Sequence, residues 1–231
     1  MRREISPLRR LKYQVLQHLP GQRGWHYKRK LRLADDGATD AAFASAIEGA
    51  AGKVCVDLGA NLGVFSRRMA ATAGRVYAFE PDPWTAQELR KAVADLPNVA
   101  VIEAAAGVED GTISLYRSKE FQDDPGRASQ SSSIIAEKRN IDSSSGIDVP
   151  VVDFVRWLEA LDSDVALIKM DIEGAEVALL ERLMDAPVLS RVDAIFVETH
   201  ESRIPELAAR TEALRARAAR LPHPVINLDW K

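Results

Sequence analysis

The 231-residue chain has one cysteine, no internal repeat, and no apolar run approaching the roughly 18 residues needed to span a bilayer. An internal disulfide is excluded by the count. Cys55, inside the apolar run Val54-Cys55-Val56, reads as a buried, inert thiol. A secretion signal is also missing. Met1-Arg2-Arg3 starts like one, but Arg9, Arg10 and Lys12 interrupt the apolar stretch that should follow. A cytoplasmic location is therefore expected. No composition break marks a second globular domain, and the length suits one α/β domain with a sizeable core.

Charge is ample but uneven. Residues 1–33 hold ten Lys or Arg against one acid, Glu4, so this stretch carries +9 of a net −3 and leaves −12 on the remainder. The chain divides into a basic N-terminal arm, 1–39, and a globular domain, 40–231. In the arm, Ser6 and Pro7 can start a helix. Leu8, Leu11, Val15 and Leu19 then fall at helical spacing, and Pro20-Gly21 should stop it. Docking of this stripe on the body near the active site, with the cations turned toward an acidic acceptor, is the preferred expectation. Contact with an anionic membrane surface and a solvated extension are the alternatives.

From residue 40 onward the pattern alternates. Strands are expected at 54–58, 75–80, 99–103, 165–170 and 192–199, with a last one at 224–228. Helices are expected at 41–50, up to about 71, 83–96, 153–161, 174–184 and 205–221, and a short antiparallel piece at 112–116. Such alternation calls for a mostly parallel sheet covered on both faces. Residues 118–149, rich in serine and without hydrophobic period, are expected to form a loop, either facing the acceptor or a plain insertion.

The strongest local signal is Val56-Asp57-Leu58-Gly59-Ala60-Asn61-Leu62-Gly63, where the first strand turns into a helix. Glycines there permit a sharp turn and close approach of a ligand at the strand's carboxyl end. Glu80, ending the second strand in Phe79-Glu80-Pro81-Asp82, can accept hydrogen bonds from both hydroxyls of a ribose. Together they ask for an adenosine-containing ligand. Asn61 stands where a dinucleotide fingerprint needs its second glycine, which argues against a pyrophosphate. Asp57 adds a negative charge that would oppose a pyrophosphate and suit the ammonium of a methionine.

The chain resembles the FkbM-type methyltransferase family. The resemblance is carried by Val56 to Ser66, by Phe79-Glu80-Pro81-Asp82, by Ala105-Ala106-Gly107 with Gly111, and by Val197-Glu198-Thr199-His200. Most specific is Ile168-Lys169-Met170-Asp171-Ile172-Glu173-Gly174-Ala175-Glu176. The resemblance implies a Rossmann-like class I fold and methyl transfer from S-adenosylmethionine, usually to an oxygen on a sugar, polyketide or similar metabolite. By position it implies that Asp57, Gly59 and Asn61 surround the methionine part, that Gly63 also belongs to the cofactor site, that Glu80 holds the ribose, and that Glu103, Ala104 and Ala105 run along the adenine. Class I folds usually finish with an antiparallel strand pair, of which only 224–228 is visible. A nicotinamide-dependent oxidoreductase and a non-catalytic binder of the same cofactor are the alternative functions.

Methyl transfer to a poorly acidic alcohol gains from a base. Asp171 at the end of the fourth strand is a candidate, with Glu198 and His200 at the end of the fifth, where alternation would put both on one side. Asp171 could instead cap the next helix, Lys169 could pair with a nearby acid, and His200 could sit at the surface. The spacing of these groups matches no recognised metal signature, so no metal is expected, although two carboxylates and an imidazole could hold one. Asp171-Ile172-Glu173-Gly174 stands where a base-nitrogen methyltransferase carries Asn/Asp-Pro-Pro-aromatic. With the acidic body, this predicts a small-molecule or glycan acceptor and no nucleic acid.

Overall fold

A computed structural model describes residues 6–19, 22–118, 121 and 141–230. In chain order the elements are α1 (Pro7–Leu16), α2 (Gln22–Gly49), β1 (Val54–Leu58), α3 (Val64–Ala70), β2 (Arg75–Phe79), α4 (Pro83–Ala92), β3 (Val99–Ile102), β4 (Ala105–Gly107), β5 (Gly111–Ser118), β6 (Ile141–Asp153), α5 (Phe154–Glu159), β7 (Val165–Met170), α6 (Glu176–Asp185), β8 (Val192–Glu198), α7 (Ala208–Ala218) and β9 (Val225–Trp230).

The main sheet runs β3-β2-β1-β7-β8-β9 and every pairing in it is parallel. The chain winds outward from β1 to β3, then returns to lay β7 on the other side of β1. Strand order therefore reverses at β1 and β7, and ligands of open α/β sheets bind in the crevice at such a point. β9 joins the edge parallel to β8, and the antiparallel closing pair is not found among the described residues.

Strand alternation sorts the core onto two faces. Val56, Leu58, Ile168, Met170, Ile195 and Val197 pack against α5, α6 and α7. Cys55, Val76, Leu167 and Phe196 face the other way, against Phe43 and Ile47 of α2 and Met69 of α3. Phe43 meets Phe196 at 5.1 Å and Trp230 at 5.0 Å between ring centroids, which ties the C-terminal half of α2 to the sheet edge.

Three expectations are corrected. Residues 22–40, which show no apolar period, continue the helix expected at 41–50, so the division at 39/40 falls inside α2. The arm's stripe does not dock: Leu8, Leu11, Val15 and Leu19 are exposed. α1 instead lays Tyr13 against Tyr27 of α2 (5.5 Å), with Lys30 Nζ over both rings, so an aromatic and cationic contact replaces the leucine seam. Finally, the described part of the serine-rich stretch, 141–149, is not a loop but strand β6, antiparallel to β5 and parallel to β4. Residues 119–120 and 122–140 lie outside the described residues. No helix among the described residues is long and apolar enough to cross a membrane.

Candidate active site

A cavity of about 1140 Å³ opens at the strand-order reversal. One wall is the glycine turn, Gly59-Ala60-Asn61-Leu62, with Glu80 beyond it. Ala104 and Ala105 continue that wall, the β4–β5–β6 sheet contributes Gly107, Ile113, Leu115 and Val151, and Asp171 and Glu198 complete the lining. The volume exceeds the roughly 300–1000 Å³ of an ordinary ligand pocket and leaves room for two molecules side by side.

The turn is fixed by its own crossing. Gly59 has φ +74°, and a Cβ there would lie 1.8 Å from the Asp171 carbonyl oxygen, so only glycine lets the turn pass under the end of β7. The N–H groups of Gly59 and Ala60 donate to the Phe79 carbonyl at 3.1 and 2.9 Å. Asn61, at φ 49°, aims its N–H at Glu80 Oε2 (2.9 Å), while the Asp82 N–H reaches Glu80 Oε1 (3.0 Å). The carboxylate that borders the cavity is thus held in place from two sides. Asp82 caps α4 and receives Arg117 of β5 through two hydrogen bonds of 2.7 and 3.0 Å, which fastens β5 beside Glu80.

Burial pushes the Glu80 carboxyl up to about 7, against the two backbone donors, which lower it. Between its ordinary value near 4.5 and that value, the folded ligand-free chain keeps a proton that the unfolded chain has lost. Its stability must therefore fall as pH rises through this window. Relative to a Glu80→Gln variant, the ligand-free protein is expected to lose about 2–3 kcal/mol between pH 4.5 and pH 8. Denaturant melts of both proteins at the two pH values check this, and parallel curves would contradict it.

Asp57 is not where its strand position alone suggested. Register pairs it with Lys169 on the neighbouring strand, on the same face of the sheet. Lys169 Nζ stands 3.2 Å from Asp57 Oδ1 and donates to the Gly59 carbonyl at 2.6 Å, while Ser66 Oγ donates to Asp57 Oδ2 at 2.6 Å. Asp57 is fully buried and does not line the cavity; it holds Lys169, and Lys169 holds the turn. Gly63 is also structural. At φ +86° it starts α3, and a Cβ would meet Leu89 at 2.7 Å. Glu103 leaves the cavity wall to pair with Arg90 at 2.7 Å. Gly59, Asn61, Glu80, Ala104 and Ala105 do border the cavity, as do Leu62, Phe65 and Ile172, which spacing did not single out.

Past the ends of β7 and β8, Asp171 and Glu198 line the cavity and His200 does not. β8 ends at Glu198, so strand alternation does not extend to His200. The imidazole is buried behind the wall, with Nδ1 2.9 Å from Glu176 Oε1. Burial opposes its charge, but Glu176, Glu173 and Asp171 outweigh it and raise the imidazole to about 9. It is a paired cation rather than a free base. Burial raises the Asp171 carboxyl, with Lys169 and His200 opposing. Burial also raises Glu198, helped by the charge of Asp171. Asp171 caps no helix: α6 begins at Glu176, whose carboxylate accepts the N–H groups of Ile172 (2.9 Å) and Gly174 (2.8 Å).

The methyltransferase FkbM domain model matches residues 57–220. The chain belongs to this family. It is a methyltransferase of Rossmann-like class I fold, its methyl donor is S-adenosylmethionine, and the oxidoreductase alternative is set aside. Similar solved structures include an rRNA methylase from Streptococcus thermophilus, at 9% identity and TM-score 0.43, covering 78% of each chain. Another is the precorrin-6y C5,15-methyltransferase of Geobacter metallireducens, at 13% identity and TM-score 0.41, covering 80% of this chain and 71% of that one. A third is the 23S rRNA methyltransferase ErmE, at 15% identity and TM-score 0.36, covering 66% of this chain and 43% of that one, so this chain spans under half its length. No curated protein matches the chain significantly.

The residues present fit the donor. Glu80 is a fixed acceptor for a ribose diol, Ala104 and Ala105 leave room for a flat ring, and the turn offers backbone at close range. The dinucleotide objection holds as well: no glycine replaces Asn61, and the nearest buried cation, Lys169, is already committed to Asp57 and the Gly59 carbonyl.

Proposed function

We propose that the protein methylates a hydroxyl oxygen of a small metabolite or glycan. The observation that carries this reading is that two carboxylates, Asp171 just past β7 and Glu198 at the end of β8, border the same cavity as Glu80 and the glycine turn. When bound, S-adenosylmethionine supplies a methyl carbon already made electrophilic by the sulfonium. What the chain must add is alignment of the acceptor and removal of its proton. Glu198 borders the cavity and takes the proton as the oxygen–carbon bond forms. Asp171, tethered near Lys169 Nζ (4.0 Å), accepts a hydrogen bond that orients the acceptor. His200 positions these groups from behind and touches neither ligand. Ile172, Phe65 and the β5–β6 hairpin line the same cavity.

The composition supports a small acceptor over nucleic acid. The chain outside residues 1–33 carries −12, and the cavity's acidic side gives no track for phosphates. That acidic side equally disfavours the acidic acceptor expected from the arm, none of whose described residues lines the cavity. The reading is tested by incubating the protein with methyl-labelled S-adenosylmethionine and panels of sugars, polyketides, amines and oligonucleotides. Carbon–proton correlation NMR then locates the label. A new O–CH₃ signal is expected, and a product labelled only on nitrogen, carbon or nucleic acid would overturn it.

A further inference from the structure

α1 carries its leucines on the side that the rest of the protein leaves open. At about 100° per residue, Leu8, Leu11 and Val15 fall within about 60° of one another around the helix. They are 84, 61 and 65% exposed, and Leu19, just past the helix, is 41% exposed. The opposite side faces α2. There Tyr13, Leu16 and Gln17 are half-buried, and Tyr13 meets Tyr27 beside Lys30 Nζ. The contact that holds the helix in place therefore turns its stripe outward. Cations border that stripe. By helical angle Lys12 and Arg9 follow it on one side and Arg10 on the other, and all three are exposed. No Asp or Glu occurs between Glu4 and Asp35. An apolar patch rimmed by charge marks a contact surface. Long basic side chains beside such a stripe lay their stems along apolar surface and keep their charges at headgroup level.

We propose that α1 lies in the surface of an anionic lipid bilayer, with Leu8, Leu11, Val15 and Leu19 entering the acyl boundary and Arg9, Arg10 and Lys12 at the phosphates. Charge complementarity selects this occupant. Residues 1–33 carry +9 and the remainder −12, so an anionic surface attracts the arm and repels the body, which leaves the arm as the part that touches it. A second copy of α1 would bring the same cations face to face. Four aliphatic side chains also supply only a fraction of the ~800 Å² per partner that a stable interface buries. A nucleic acid would use the cations and leave the stripe in water. The arm's described residues do not line the cavity, so lipid contact and cofactor binding use different parts of the chain.

The test reads lipid binding and not methyl transfer, so it stands or falls apart from the proposed reaction. The full chain is sedimented with sucrose-loaded vesicles of equal parts phosphatidylcholine and phosphatidylglycerol, and with vesicles of phosphatidylcholine alone. Binding to the anionic vesicles only is expected. It should fall as salt rises from about 0.1 to 1 M and the Debye length shrinks from about 10 to 3 Å. Arg9→Gln with Lys12→Gln should weaken it by about 20–30-fold, since each cation near the surface contributes about fivefold. Leu11→Gln with Val15→Gln should weaken it by at least about 10-fold. All four positions are exposed, so neither pair disturbs the packing of α1 on α2, and circular dichroism checks the fold. Absence of binding by the parent chain at the lower salt would overturn the proposal. So would unchanged binding by the Leu11→Gln, Val15→Gln protein, which would reduce the arm to a nonspecific polycation. A dimer in sedimentation velocity that this same variant dissolves, with no vesicle binding by the parent, would assign the stripe to a second copy instead.

Discussion

Replacing Lys169 with methionine is expected to cost about 3–5 kcal/mol of folding stability, because it strands a fully buried carboxylate. Asp57 would keep Ser66 and lose its ion pair, and the Gly59 carbonyl would lose a donor at 2.6 Å. For a chain of this size the loss corresponds to a melting temperature lower by roughly 6–20 °C. The double variant Lys169→Met with Asp57→Asn should regain part of it, since the stranded charge is gone. Chemical denaturation of the two single variants, the double variant and the parent measures the coupling. Additive losses would mean that the pair is not the unit holding the turn.

The second large effect belongs to Glu198. Glu198→Gln keeps the shape of the side chain and removes its capacity to take a proton. Turnover with the true acceptor should fall by about 10²–10⁴-fold, the usual contribution of a positioned base. Binding of S-adenosylmethionine should stay close to that of the parent, because Glu80 follows β2 and Glu198 ends β8, with β1 and β7 between them. His200→Ala should also reduce turnover, by loosening Glu176 and the segment around Asp171, but its effect includes a structural part that Glu198→Gln lacks. If Glu198→Gln turns over at the parental rate, the proton leaves by another route and the base assignment falls.

The sheet was legible because its strands are short apolar runs separated by amphipathic helices, and because glycine and acid mark the first two strand ends. What decides the site was less visible. Whether Asp57 meets a ligand or a neighbour depends on the register of β1 against β7, a contact between residues far apart in the chain. Once Lys169 is its Cα partner, the carboxylate turns inward. His200 was placed by extending a period-two pattern two residues past the point where β8 stops. Glu103 follows its strand outward to Arg90, whereas Ala104 and Ala105 next to it turn in. β6 escaped notice because Ser143-Ser144-Ser145-Gly146 breaks its pattern, leaving apolar alternation only in the short run Ile147-Asp148-Val149-Pro150-Val151. Its pairing with β5 rests on backbone hydrogen bonds and on contacts such as Ser114 Oγ to Asp148 Oδ1 at 2.9 Å. The long first part of α2 has the same character, a helix whose polar side chains give no stripe to read. In each case local pattern was silent and tertiary contact set the outcome.

The central claim, that the cavity bordered by Glu80 and the glycine turn holds S-adenosylmethionine, is tested most directly by calorimetric titration of that cofactor into the parent and into Glu80→Ala at pH 8, where the Glu80 carboxyl, near 7 when buried, is mostly ionised. One site per chain is predicted, with affinity in the variant weaker by about 1.5–3 kcal/mol through loss of charge-assisted hydrogen bonds to the ribose. Equal affinity in a folded Glu80→Ala protein, or binding of NAD in preference to S-adenosylmethionine by the parent, would contradict it.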